Sequence, residues 1–137
     1  MWNPWATLAT EHPDVEVIHT TSLPPGLLGA TDGATIWLAT DQTQAERRCT
    51  LTHELVHVER HHDGCQPPHV EADVEWEAAR RLIELDHLAT TMTWAHSEAE
   101  AADDLWVDTT TLRTRLTRLT ARERALVDAV LRGGRVW

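Results

Sequence analysis

Arg47-Arg48-Cys49-Thr50-Leu51-Thr52-His53-Glu54-Leu55-Val56-His57-Val58-Glu59-Arg60 is the segment around which this 137-residue chain is organised. Leu51, Leu55 and Val58 recur at helical spacing and form one buried stripe, so a long helix is expected from Gln42 to Arg60, with Asp41 as its N-cap. His61-His62-Asp63-Gly64 closes it, with Gly64 as the stop signal. His53 and His57 stand four residues apart, which puts both imidazoles on one helical face a turn apart. Two ring nitrogens in that arrangement can bind one tetrahedral Zn²⁺. Glu54 follows the first histidine, where a carboxylate can take a proton from water activated by the ion and pass it to a leaving amine. His-Glu-x-x-His is a short pattern, and its apolar flanks and mid-helix position add to its weight.

A catalytic zinc usually has three protein ligands and one open position. The next segment, expected as a helix from Val70 to Leu85, offers Glu71, Asp73, Glu75 and Glu77. Glu71 and Glu75 share a face with Ala78 and Leu82, the face expected to turn towards the first helix. Glu71 is the expected third ligand. Glu75, one turn on, is expected to accept the N–H of a zinc-bound histidine. Glu77 lies on a different face and, with Glu75, remains an alternative ligand. His61 continues the four-residue spacing, but a regular helix carries it about 12 Å from His53, too far to share one ion. His61 and His62 are therefore expected at the fraying helix end or beside a substrate groove.

Before the long helix the pattern changes to alternation. Val15 to His19 reads as a strand, Leu27 to Ala30 as a second, and Ala34 to Leu38 as a third, with Asp32-Gly33 giving the hairpin signal between the last two. Leu23-Pro24-Pro25-Gly26 marks a turn. A small antiparallel sheet is expected over residues 15–40. After the two site helices (residues 42–85), residues 86–137 read as helices over Asp86–Trp94, Glu98–Trp106, Thr109–Leu119 and Ala121–Leu131. The fold class is α+β, in a single domain over 1–137. Trp37 and Trp76 are expected in the core.

The formal net charge is -10, which opposes nucleic-acid binding unless charge is segregated. Residues 113–137 carry seven arginines against Glu123 and Asp128, so a basic C-terminal segment docking on an acidic body is expected. The alternative is a helix-turn-helix over Ala101–Leu112, with Arg113 and Arg115 in the recognition helix and DNA as the partner. Asp103, Asp104 and Asp108 weigh against it. Two cysteines, Cys49 and Cys65, are weak grounds for a disulfide. No apolar run approaches the ~20 residues of a membrane span. Met1-Trp2-Asn3-Pro4-Trp5 lacks the pattern of a signal peptide, so the cytoplasm is the expected location.

The segment Arg47 to His57 resembles the Arg-Arg-x-Thr-Leu-Ala-His-Glu helix of the ImmA/IrrE metallopeptidases. Glu71 to Ile83 is similar to that family's second helix, in which a Glu is followed four residues later by Asn or Asp and then by an Ala-rich run. Leu105 to Leu116 resembles a later segment of the family. Val56 stands where many members have Gly, and 13 residues separate His57 from Glu71. The resemblance implies a gluzincin-like core, with Glu71 as ligand and Glu75 in the Asn/Asp place. It also implies a regulatory zinc protease directed at a helix-turn-helix repressor, common in phage and mobile elements. A third possibility keeps the fold without hydrolysis: a zinc-stabilised protein that binds a repressor uncut.

Overall fold

The computed structural model describes residues 1–132; Arg135 of the basic C-terminal segment lies outside them. Its elements are α1 (Pro4–Glu11), β1 (Glu16–Thr20), β2 (Gly29–Thr31), β3 (Thr35–Ala39), α2 (Gln44–Glu59), α3 (Pro68–Leu82), α4 (Leu85–Trp94), α5 (Glu98–Leu105), α6 (Thr109–Thr117) and α7 (Ala121–Leu131). The architecture is α+β, a small sheet followed by a helical C-terminal half. None of the described helices is long and apolar enough to cross a membrane.

The sheet is mixed, which corrects the expectation of an antiparallel one. Its order is β1-β3-β2. β2 and β3 form the antiparallel hairpin, while β1 runs parallel to β3 from Glu16↔Thr35 to Thr20↔Ala39. The reason lies in two unlike connections. Asp32-Gly33 makes a tight turn, with Asp32 Oδ1 accepting the N–H groups of Ala34 and Thr35 at 2.9 and 2.8 Å. Residues 21–28 instead form a wide loop. Pro25-Gly26 sits at its turn, with Gly26 at φ 83 and Leu27 N–H bonded to Pro24 O, as a type II turn requires. The wide loop carries the chain past one strand position, and β3 fills the gap. As the central strand, β3 has wholly buried Ile36 and Leu38. Trp37, between them in the alternation, is only half-buried, as is Trp76, so neither is a core residue.

Several boundaries also move for local reasons. Thr43, not Asp41, caps α2: its Oγ1 accepts Glu46 N–H at 3.1 Å while Glu46 Oε1 accepts Thr43 N–H at 2.9 Å, a full capping box. Pro68 begins α3 at a position where a missing N–H costs nothing. Extended Ile83 ends α3, three residues short of the expected boundary. At the end of α2, His61 takes the left-handed conformation (φ 58) in place of Gly64. His61 N–H bonds to Val58 O at 3.1 Å and His62 N–H to His57 O at 3.0 Å, the paired bonds of a Schellman cap.

Helix α2 is buried on two opposite sides. Leu51, Leu55 and Val58 pack with Ile36 and Leu38 of the sheet and Leu8 of α1. Cys49 and Val56 pack with the apolar residues of α3 to α7. Arg48, 4% exposed, ties these layers together. Its Nη1 donates to Leu105 O and Trp106 O at 3.4 and 3.0 Å, and its Nη2 to Trp2 O and Leu82 O at 3.0 and 3.2 Å. Leu82 and Leu105 are the last residues of α3 and α5, whose terminal carbonyls lack helical partners and favour a cation.

Two of the C-terminal arginines pair with acids of the body. Arg113 meets Glu98 at 2.6 Å and Arg118 meets Asp73 at 3.0 Å. Arg115, 2% exposed, donates to Ile83 O and pairs with Glu123, so the helix read as a recognition helix has one of its two key cations inside the protein. Both cysteines are free thiols, Cys49 buried and Cys65 exposed.

Arg48→Ala strands four carbonyls and is expected to lower the unfolding free energy by about 3–5 kcal/mol. Arg48→Lys, a point charge with three donors, restores less than half of that. Urea denaturation measures both, and a loss below about 1 kcal/mol for the alanine variant contradicts this role.

Candidate metal centre

The third side of α2 is polar and faces a cleft. His53 and His57 project from it one turn apart, with ring centroids 4.9 Å apart. Helix α3 packs against α2 and brings Glu71 from its first turns opposite the two rings. Glu71 Oε1 is 3.2 Å from His53 Nε2 and 3.0 Å from His57 Nε2, and the two Nε2 atoms are 3.2 Å apart. Donors about 2.0–2.1 Å from a tetrahedral zinc are separated by about 3.3 Å, so this near-equilateral triangle suits an ion of that size and preference. Two imidazoles and one carboxylate also form a donor set typical of zinc. These three residues form a group that could hold a metal ion.

Neighbouring groups fix the triangle. The Gln66 N–H donates to Glu71 Oε2 at 3.1 Å, leaving Oε1 to face the histidines. Burial alone raises the Glu71 carboxyl, but the Gln66 N–H and the adjoining His57 and His53 rings outweigh it and hold the group below its ordinary value. Burial, then the neighbouring His57, pushes His53 down, which favours the neutral imidazole that a metal requires. His57 is the most enclosed of the three, its side chain 5% exposed against 26% for His53 and 28% for Glu71.

His57 Nδ1 lies 2.8 Å from His62 Nδ1, within hydrogen-bonding distance. The Schellman cap accounts for this: left-handed His61 reverses the backbone and returns His62 over the last turn of α2. The helical spacing from Glu71 assigns the orienting role to Glu75, and the structure corrects this. Glu75 is exposed and makes no hydrogen bond to a histidine among the described residues, because the 13-residue connection places Glu71, not Glu75, level with the rings. Glu77 also stays outside the centre. It is buried against Arg80, at 2.6 Å, and Arg81.

Glu54 is 7% exposed. Burial, then the charge of Glu71, pushes its carboxyl up from 4.5 to about 7. The strand β2 lies against α2 at this residue, and Gly29 permits the approach. A Cβ at Gly29 would stand 2.5 Å from Thr50 Cγ2 and 3.3 Å from Glu54 Cγ. Glycine inside a short apolar strand is the signal of close backbone approach that could have pointed to this contact. A cavity of about 370 Å³ runs from Leu27, Gly29 and Thr31 to His53, Glu54 and Glu71, and a second of about 310 Å³ continues past Glu54 towards α6.

A histidine pair and an intervening glutamate on a buried helix, closed by a carboxylate from the next helix beneath a short sheet, define a metallopeptidase-like domain. Residues 10–86 match the model of the IrrE N-terminal-like domain, a peptidase family, and the chain belongs to that family. The match spans all three strands, α2 and α3. No curated protein and no solved structure matches the chain.

Gly29→Ala is expected to cost about 1–3 kcal/mol through overpacking against Thr50. Thr50→Ser removes the colliding Cγ2, so the double variant should recover most of that loss; an additive double-mutant cycle in thermal melts contradicts the contact. A second expectation concerns pH. In the metal-free protein, folded Glu54 keeps its proton up to about 7, whereas the unfolded chain releases it near 4.5. Between these values the folded state binds more protons, so stability falls as pH rises, by about 1–3 kcal/mol in all. Glu54→Gln should flatten that part of a stability-versus-pH curve measured with chelator present.

Proposed function

We propose that the chain is a zinc-dependent endopeptidase in which His53, His57 and Glu71 hold the ion and Glu54 is the general base. The observation that carries this reading is the 3.0–3.2 Å triangle of ligand atoms with a buried glutamate beside it. When bound, zinc supplies a Lewis acid that polarises the scissile carbonyl and acidifies water. Glu54 takes the proton of the attacking water and returns it to the nitrogen of the departing amine, so the carbonyl carbon gains an oxygen as the C–N bond breaks. The enclosure that raises the Glu54 carboxyl also suits it to both halves of that transfer, since a group titrating near neutrality can accept and then donate. A dication next to it favours the ionised form needed at the start. His62 holds the His57 ring in orientation from behind.

The substrate is an extended protein segment. β2 is an outer strand of the sheet and pairs only with β3 among the described strands, and its residues line the cavity that contains the ligand triangle. A substrate backbone can add to that edge as a further strand, with its carbonyl over the centre. The family resemblance points to a helix-turn-helix repressor as the protein cut, in the cytoplasm. DNA binding by α6 is disfavoured by the burial of Arg115.

Metal analysis and digestion of labelled casein test the assignment together. Glu54→Gln is expected to keep one zinc per chain and lose at least about 100-fold in rate. Glu71→Ala is expected to lose both zinc and activity, while Glu75→Ala keeps zinc. Full cleavage by Glu54→Gln, or undiminished zinc in Glu71→Ala, refutes the respective role.

A further inference from the structure

The second cavity is not needed to explain hydrolysis, yet it opens directly beside Glu54. It shares Leu27, Gly29, His53 and Glu54 with the cavity of the ligand triangle, so a chain lying along β2 passes both. Its volume of about 310 Å³ is enough for one long side chain. Buried Cys49, Ala78 and Leu82 supply apolar walls. Threonines of α2 and α6 supply hydroxyls, and two further carboxylates, Glu75 and Asp108, join Glu54 in the lining.

Charge decides what such a space accepts. No arginine lines it, and Glu75 is exposed without an ion-pair partner among the described residues. Asp108 caps α6, its Oδ1 accepting Thr111 N–H at 2.7 Å. The N-terminus of α6 offers roughly half a positive charge, which the full charge of Asp108 outweighs. An acidic side chain would meet two like charges. An apolar one would displace water from the Glu75 and Asp108 carboxylates and offer their charges no partner. A basic side chain lays its methylene stem on the apolar walls and its cationic head among the acids.

We propose that this cavity, walled by Cys49, Ala78 and Leu82 and bearing Glu75 and Asp108, is a subsite for an arginine or lysine side chain flanking the scissile bond. The proposal rests on the peptidase reading for its placement beside that bond, but the recognition itself requires only binding. Glu75 is the specificity-determining residue. Asp108 also holds the start of α6, so Glu75 is the position to change.

Two measurements test it. The first uses zinc-loaded Glu54→Gln protein and three N-acetylated, C-amidated tripeptides, Leu-Arg-Leu, Leu-Leu-Leu and Leu-Glu-Leu, titrated calorimetrically. The arginine peptide is expected to bind about 10-fold more tightly than the glutamate peptide. Glu75→Arg in the same background should abolish or reverse that order; because Glu75 is exposed, its replacement leaves the fold intact, which a thermal melt verifies. Equal affinities, or a preference that survives Glu75→Arg, overturn the subsite. The second digests a proteome-derived peptide mixture with zinc-loaded wild-type protein and maps the cuts by mass spectrometry. Arginine and lysine should be enriched at one position next to the cut. Cleavage without that enrichment overturns the subsite and leaves the peptidase standing. Selective binding of the arginine peptide without any cleavage does the reverse.

Discussion

The guanidinium of Arg48 lies inside the protein and donates to four backbone carbonyls contributed by the start of the chain, the end of α3 and the end of α5 with the residue after it. A buried cation is costly unless its donors are met, and here two of the acceptors, Leu82 O and Leu105 O, are helix-end carbonyls without helical partners. Two unfavourable elements, a desolvated charge and open helix ends, thereby satisfy each other. Because Arg48 is five residues ahead of His53 on one continuous helix, the same contact sets the height and rotation of α2 against α3. The ligand triangle depends on that alignment, since a regular helix rises about 1.5 Å and turns about 100° with each residue.

With α2 held in place, its three sides take different duties. The sheet covers one, the C-terminal helices cover the opposite one, and the polar side faces the cleft. A helix buried in this way presents His53, Glu54 and His57 from a rigid support, with little freedom to leave the centre. The rigidity has an electrostatic consequence. Glu54 and Glu71 are confined together in a partly desolvated space, and the proton affinity of Glu54 rises through burial and then through the charge of Glu71. A dication held by the triangle, as proposed, would relieve it directly and so couple metal binding to the ionisation of Glu54.

The small sheet serves the site through its outer strand. The wide Pro24-Pro25-Gly26 turn lets β3 occupy the centre and leaves β2 at the edge, against α2. Without a side chain at Gly29 the strand can approach Glu54 closely. Placing β2 in the middle of an antiparallel meander would pair both its edges and close the cleft to an added strand. The parallel pairing of β1 with β3 is therefore what gives the proposed groove a free edge.

Most of the local structure was legible in the sequence. The 3.6-residue period marked α2, the four-residue spacing put His53 and His57 on one face, Asp32-Gly33 announced the hairpin, and Ala121–Leu131 has the bounds expected of it. Those features depend on residues within a turn or two of each other, and short-range sterics and hydrogen bonding decide them. The choice of Glu71 rested on facing apolar residues and family resemblance, and spacing alone misassigned its neighbour Glu75. The parts that could not be read depend on the path of the chain between elements. The Schellman cap that returns His62 to His57 uses a left-handed histidine where glycine is the usual signal, and the strand order turns on a loop whose length does not specify which edge it reaches. Sequence determined which groups this protein offers to the proposed centre; only the packing of α3 and β2 against α2 decided which of them meet, because a contact between segments far apart in the chain is set by the shared burial of their apolar faces and not by any pattern within either one.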